Sequence, residues 1–478
     1  MKQLNIVFIF DELDCKVLHK ILVQFNELIF SKFDVDIHTV LTLPSLTMKI
    51  YKTKFMPENT IYQLLGNVYK DISQSYTGGA VDVYIPHNRS ESIYSRMSKK
   101  LYYYDVNSLY PFVMASRPMP IGKPKAFIGN ILRIDPNAYG HFFVEVTAPD
   151  NLQHPILQQR VKTSDGIRTV AGLGTWKMWI YSDEMYNAMK LGYKFTVING
   201  YEFEKGYIFK EFVETMYNYR LEFLKGHPSS SMTNDIAKSL MNSLYGKFGM
   251  KPENTIVEIF DTSDSVQHAL LKDLMDTIGE SIQDWFTIDN HVVCIRNNIS
   301  RYSYDENTNS YLGSDVNVAI ASAVTASGRM WMSLIKNNPL SNLYYSDTDS
   351  AIIDRPLPSH MVGSALGQFK LEHVITRAVF LAPKVYAFIN KDGDEIIRVK
   401  GITKDTLTNL QISDFEALLF QDSNKELSQE KWFKRTIEGT ISVSDVAYNL
   451  KVTSNKRENI YIDNIFEGTK PYYYDKIK

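Results

Sequence analysis

LYYSDTDSAII, residues 343–353, decides how this chain reads. Two short apolar runs, one on each side of Asp347-Thr348-Asp349, predict two β-strands joined by a tight turn with both acids at its tip. Carboxylates this close repel, and each raises the other's pKa unless a divalent cation neutralises the pair. An Asp-rich turn taken alone is also a common solvated turn, so the reading depends on what else converges there.

Working outward, LYYYDVNSLYPFVM at 101–114 gives a strand that delivers Asp105 at its end, followed by Asn107 or Ser108 as the N-cap of a helix. The free N–H groups of a helix start are a seat for phosphate oxygens, and Tyr110 lies one turn along. In isolation Asp105 is equally a capping residue. AKSLMNSLYGKFGM at 237–250 places Lys238, Asn242 and Tyr245 on one helical face, offering a cation, an amide and a ring, with Gly246 leaving room for a base pair. PKVYAFINKDGDE at 383–395 reads as a strand and turn with Lys384 and Tyr386 on one face, although an exposed edge-strand lysine fits the spacing as well. Together these segments bring two or three carboxylates to a divalent metal opposite a basic and aromatic helix. Two Mg²⁺ ions roughly 3.5–4 Å apart can hold an attacking hydroxyl and a leaving pyrophosphate, which is the logic of nucleotidyl transfer.

The rest of the chain is organised around these segments. Apolar residues from Leu13 to Ile29 recur at helical spacing, and core packing accounts for them. Ser75 to Gly79 and the polar run after it mark a boundary, and residues 101–200 read as antiparallel strands with short helices. Residues 207–248 read as a helical hairpin whose second arm starts near Thr233. Later come a hairpin around Tyr304 to Tyr311, a helix from Val316 to Leu334, and a hairpin turning at Lys391-Asp392-Gly393.

Composition limits the alternatives. With 478 residues, 44% hydrophobic and 22% charged, the chain has room for about three domains and a sizeable core. A net charge of -2 gives no global attraction to nucleic acid, so such binding needs local basic groups. Two cysteines, Cys15 and Cys294, build neither a disulfide framework nor a zinc ribbon. The longest unbroken apolar runs fall short of a membrane span, and the acidic N-terminus resembles neither a signal nor a transit peptide.

These strings resemble the motifs of family B DNA polymerases, in the family's order: DVNSLYP (105–111) resembles motif A, KSLMNSLYG (238–246) motif B, YSDTDS (345–350) motif C, and PKVY (383–386) the Lys-x-Tyr motif. The resemblance is most specific to the protein-primed branch of bacteriophages, adenoviruses and linear mitochondrial plasmids. SYTGG (75–79) is similar to that branch's Tyr-x-Gly-Gly linker and TASGR (325–329) to its Thr-x-x-Gly-Arg motif.

The resemblance implies Asp105 and Asp349 as catalytic, metal-binding carboxylates with Asp347 beside them, and the Val106 carbonyl as a further metal ligand. It implies Tyr110 as a steric gate against a ribose 2'-hydroxyl, Lys238 as a triphosphate ligand, and Asn242 and Tyr245 at the nascent base pair, with Leu109 and Lys225 as further nucleotide contacts. Lys384 and Tyr386 would stabilise the primer terminus, and Tyr76, Gly78, Gly79 and Thr348 would contact DNA. Implied cofactors are two Mg²⁺ ions, replaceable by Mn²⁺; implied partners are primer–template DNA and dNTPs, with a terminal protein left open and no membrane.

The implied fold is α+β: a right hand with an antiparallel-sheet palm, helical fingers and a small thumb, lacking a complete exonuclease domain. Its expected divisions are an exonuclease remnant (1–75), linker and first part of the palm (76–117), a first insertion like that contacting terminal protein (118–206), fingers (207–250), a second insertion like that promoting strand displacement (251–313), the remaining palm (314–403) and thumb (404–478). Phe10 to Asp14 is similar to the third exonuclease motif with Phe for Tyr, and the first two have no room, so proofreading is expected to be absent. The expected activity is DNA-directed DNA synthesis, in mitochondria on the plasmid-like resemblance. The alternatives are a catalytically degenerate DNA- or terminal-protein-binding remnant and, more weakly, a reverse transcriptase, to which the motif B helix is unsuited.

Overall fold

The structure is a computed structural model that describes residues 2–89, 99–163, 166–224, 230–250, 254–278, 282–298, 303–305, 310–312, 316–435 and 440–476. At its centre is a seven-stranded antiparallel sheet, ordered in space Val81–Val83, Leu343–Asp347, Ser350–Ile353, Leu101–Val106, Phe369–Ala382, Val385–Asn390 and Glu395–Val399. The aromatic, β-branched strand Leu101–Val106 inserts between two strands from far later in the chain, pairing Asp105 with Ser350 on one side and Lys370 on the other. The glycine-rich stretch that reads as a boundary runs straight into the edge strand, where Val81 pairs with Asp347, so it forms a seam inside the sheet.

Period-two alternation decides which side chains reach solvent. Tyr104 and Val106 enter a core with Ala351, Ile353 and Phe369 beneath helix Val318–Lys336. That leaves Tyr103 and Asp105 on the opposite face, where Tyr345, Ile352, Phe380, Tyr386 and Phe388 pack with Ile412 and Phe415. Helix Val318–Lys336 is the one helix among the described residues long and apolar enough to cross a membrane, yet 83% of its apolar stretch is buried inside the fold. It carries Ser322, Arg329 and Lys336 into the interior, each of which must find polar partners there.

A second antiparallel sheet orders Met119–Ile128, Lys194–Gly206, Gly140–Thr147 and Thr175–Tyr181, followed from the last of these by helix Ser182–Met189. Helices Lys210–Leu224 and Ser230–Phe248 pack against each other as the helical hairpin. The second begins at Ser230, a turn before the predicted start, because serines serve helix starts as well as loops. Strands Asn254–Asp261, Ile282–Ile288 and His291–Asn298 form a three-stranded sheet beside helix Ser265–Ile278, and Tyr304 pairs with Tyr311 in the short hairpin after it. Two further hairpins, Lys425–Arg435 with Thr440–Leu450 and Glu458–Ile462 with Ile465–Lys470, close the chain.

The N-terminal helix runs Lys2–Phe33, longer than its periodicity predicts. Core packing accounts only for its end: Ile29 and Phe33 are buried, whereas Leu13, Val17, Leu18, Ile21 and Leu22 are exposed. Phe10 to Asp14 lie within this helix.

Candidate active site

Strand pairing brings the carboxylates of two distant segments together. The Val106 N–H donates to the Asp349 carbonyl at 2.8 Å, so Asp349 sits where the turn meets the end of the Asp105 strand. Burial pushes the Asp105 carboxyl up to about 7, Asp349 and Glu372 push it the same way, and Lys238 and Lys370 oppose them. Asp349 is raised for the same leading reason, burial, with Asp347 adding repulsion. Each acid is thus held protonated longer than usual by desolvation first, helped by a neighbouring carboxylate: Asp349 for Asp105, and Asp347 for Asp349.

Asp347 is different. Both its oxygens accept from Lys384 Nζ, at 2.9 and 2.6 Å, and the Tyr345 hydroxyl lies 3.4 Å away. The unpaired repulsion therefore falls on Asp105 and Asp349. Among the described residues no three His, Cys, Asp or Glu side chains are arranged to hold a metal, so an ion here would rest on two carboxylates and a backbone oxygen. Hard oxygen donors with excess negative charge fit Mg²⁺, and its charge would offset the desolvation and repulsion that hold both carboxyls above their usual range.

Lys384 and Tyr386 do not share an exposed face. Lys384 occupies the turn at φ 63 and is exposed, while Tyr386 is buried against Tyr345 and Phe388 at ring distances of 5.1 and 6.2 Å. Alternation counts from a residue that is in fact outside the strand, Val385–Asn390.

A wall of tyrosines stands opposite the acids. Tyr110 and Tyr245 meet at 4.4 Å between ring centroids, and burial raises both hydroxyls above their usual range, Tyr110 strongly. Gly328 backs Tyr110: a Cβ there would come within 3.2 Å of the ring. Lys238 and Asn242 are exposed on the helix that carries Tyr245, and Gly246 faces open space. Lys225 lies outside the described residues. Leu109 is packed in the core, so only its backbone at the helix start can reach a ligand. The expected side-chain N-cap is missing: Ser108 sits at φ 51 with no capping bond. The Asn107 amide instead donates to the Gly363 carbonyl at 2.8 Å, tying the turn to the loop before Phe369.

The loop at 75–80 is built into this site. Thr348, at φ 43, donates its N–H to the Ala80 carbonyl at 3.0 Å, and a Cβ on Gly79 would lie 2.7 Å from the Thr348 Cα. Only glycine permits that approach. Gly79→Ala should therefore displace the turn carrying Asp349 and destabilise the fold by about 1–3 kcal/mol, the range for overpacked sites; urea unfolding midpoints that match wild type would contradict this. Gly78 faces open space.

At the start of the loop the Ser75 hydroxyl meets His141 Nδ1 at 3.0 Å and the Ser322 hydroxyl at 2.9 Å. Burial pushes His141 down to about 3 from its ordinary 6.5. A depressed folded pKa means unfolding takes up a proton as pH falls, so stability present above about 6.5 is lost on the way toward 3. The melting temperature should fall from pH 7 to pH 4.5, with burial-depressed His154 contributing, and His141→Gln should flatten that dependence. Parallel pH curves for the two proteins would refute the assignment.

Arg329 and Glu184 carry weight here that the sequence did not reveal. The 325–329 motif is visible, but Glu184 has no local signal, because its partner lies far along the chain. Arg329 donates through Nη1 to the Thr77 carbonyl at 2.6 Å and to the Gly78 carbonyl at 3.1 Å.

Comparison with known proteins gives the chain a family and a fold. Residues 9–341 match the family described as DNA polymerase type B, organellar and viral. A probable DNA polymerase of Ascobolus immersus is 34% identical over 456 residues, which cover 94% of this chain and 35% of that one. One of Neurospora intermedia is 33% identical, covering 90% of this chain and 42% of that one. The chain thus spans well under half the length of these curated relatives. Phi29 DNA polymerase solved with primer–template DNA shares the fold, with a TM-score of 0.59 at 19% identity over 89% of this chain and 70% of that one. The chain belongs to the organellar and viral type B DNA polymerase family.

Proposed function

We propose that this chain catalyses template-directed addition of deoxynucleotides to a primer 3'-hydroxyl with release of pyrophosphate. The observation that carries the reading is the meeting of Asp105 and Asp349, both half-buried and both raised, at the end of a sheet within electrostatic reach of Lys238. Titratable groups so perturbed belong more often to reacting sites than to structural ones. Family membership and a fold shared with a polymerase solved on DNA support it.

On this reading the central sheet is the palm, the 207–250 helical hairpin the fingers, and the hairpins after 404 the thumb. Asp105, Asp349 and the Val106 carbonyl would hold two Mg²⁺ ions, which supply positive charge to the triphosphate and acidify the attacking hydroxyl. Lys238 attracts the triphosphate as a point charge from the fingers side. Tyr110, braced by Tyr245 and Gly328, fills the space a 2'-hydroxyl would need, and Asn242, Tyr245 and Gly246 border the base pair. Lys384, held at the turn by its N–H to the Tyr345 hydroxyl at 2.9 Å, can exchange its ion pair with Asp347 for a primer phosphate. The loop of Tyr76, Gly78 and Gly79, with Thr348, lies where template or primer backbone would pass. Priming by a terminal protein and residence in mitochondria belong to the same proposal, and the organellar and viral character of the family supports them.

The test is pyrophosphate stoichiometry. With a primed template and one dNTP at a time, the purified chain should release one pyrophosphate per nucleotide added, and only for the dNTP complementary to the next template base. Release without primer lengthening, or without template dependence, would contradict the proposal.

A further inference from the structure

Glu184 is the third residue of helix Ser182–Met189, outside every segment named above for substrate or metal. Its side chain is 6% exposed, and both carboxylate oxygens are taken by Arg329, from Nε and from Nη2, each at 2.7 Å. A planar guanidinium gripped along one edge has its other edge fixed in direction. That edge carries Nη1, which donates to the carbonyls of Thr77 and Gly78. The same loop ends at Ala80, whose carbonyl accepts the Thr348 N–H at 3.0 Å, while Gly79 abuts the Thr348 backbone. Thr348 holds a left-handed conformation between the two acids of the turn, so its restraint sets where Asp349 stands.

From this chain of contacts we infer that Glu184 is a positioning residue for the active site. It aims Arg329 at the 77–78 carbonyls and so holds the loop that clamps the Asp347-Thr348-Asp349 turn. A carboxylate in the inserted sheet region thereby governs the geometry of the metal-facing acids without touching substrate. The inference rests on the polymerase reading for its kinetic consequence but not for its structural one.

Two variants test it. Glu184→Gln keeps the shape and removes the charge. Glu184→Met combined with Arg329→Met removes the buried pair altogether, a change that well-packed apolar side chains commonly tolerate or reward in stability. Amide hydrogen exchange of the 76–80 and 346–350 segments is measured beside melting temperature, kcat and KM for dNTP. Glu184→Gln should speed exchange in both segments about tenfold and lower kcat about tenfold to a hundredfold, with KM within about threefold. The double variant should recover wild-type melting temperature but neither exchange protection nor kcat, because the loop carbonyls still lack their donor. Recovery of stability, protection and kcat together in the double variant would overturn the inference and leave the pair a packing element. So would Glu184→Gln with wild-type exchange and kcat. If the wild type adds no nucleotide at all, the polymerase reading fails, and the exchange data alone decide whether Glu184 holds the loop.

Discussion

Asp349→Asn lowers the rate of single-nucleotide primer extension by about three orders of magnitude or more, the scale of losing a central electrostatic group in a closed site, and leaves primer–template affinity within about threefold. The substitution is isosteric and spares the backbone carbonyl that accepts from Val106, so the turn and its seam with Leu101–Val106 persist. What disappears is one of two charges that a divalent ion would need. Asp105 then loses the Asp349 repulsion while its burial remains, so its carboxyl pKa moves down from about 7. Single-turnover kinetics and a binding titration on the same preparation separate the two effects. Extension within tenfold of wild type would remove Asp349 from the catalytic set.

Tyr110→Val raises incorporation of ribonucleotides relative to deoxynucleotides by about a hundredfold, the discrimination a well-placed steric block supplies. The ring is fixed from two sides, by Tyr245 at 4.4 Å and by Gly328, which has no side chain to yield. On the proposed reading, a ring held in this way would exclude an added hydroxyl. Valine keeps a buried apolar side chain but vacates the ring, so deoxynucleotide addition continues while the 2'-hydroxyl finds room. The loss of packing should cost about 2–4 kcal/mol of stability, which a thermal melt monitors independently. Sugar discrimination equal to wild type would show that another residue is the gate.

The features legible in the sequence were those encoded within a few residues. The turn between Leu343 and Ile353, the strand ending in Asp105, and the face shared by Lys238 and Asn242 all follow from local alternation or helical spacing, and the structure forms each of them. Where one residue left the regular backbone, local counting failed. Ser108 at φ 51 removed the expected cap, and Lys384 at φ 63 turned the supposed partner Tyr386 into a core residue.

Long-range pairing was harder to see. Nothing near Asp347 announces that Lys384 occupies it, and nothing near Glu184 announces Arg329, because each partnership forms only when the sheet and the Val318–Lys336 helix assemble. The glycines at 78 and 79 did mark a change in the chain, but Gly79 marks the clamp on Thr348, a close backbone approach, as much as a boundary. The apolar stripe from Leu13 to Ile29 shows the converse error: periodicity established the helix but not what it packs against.

The most direct test of the central claim is extension of a 5'-labelled primer annealed to a longer template, by the purified chain with Mg²⁺ and dNTPs. The primer should lengthen by one nucleotide when only the complementary dNTP is supplied, be extended to full length with all four, and give no product when Mg²⁺ is chelated. A folded chain that binds the primer–template and leaves the primer at its original length would contradict the central claim.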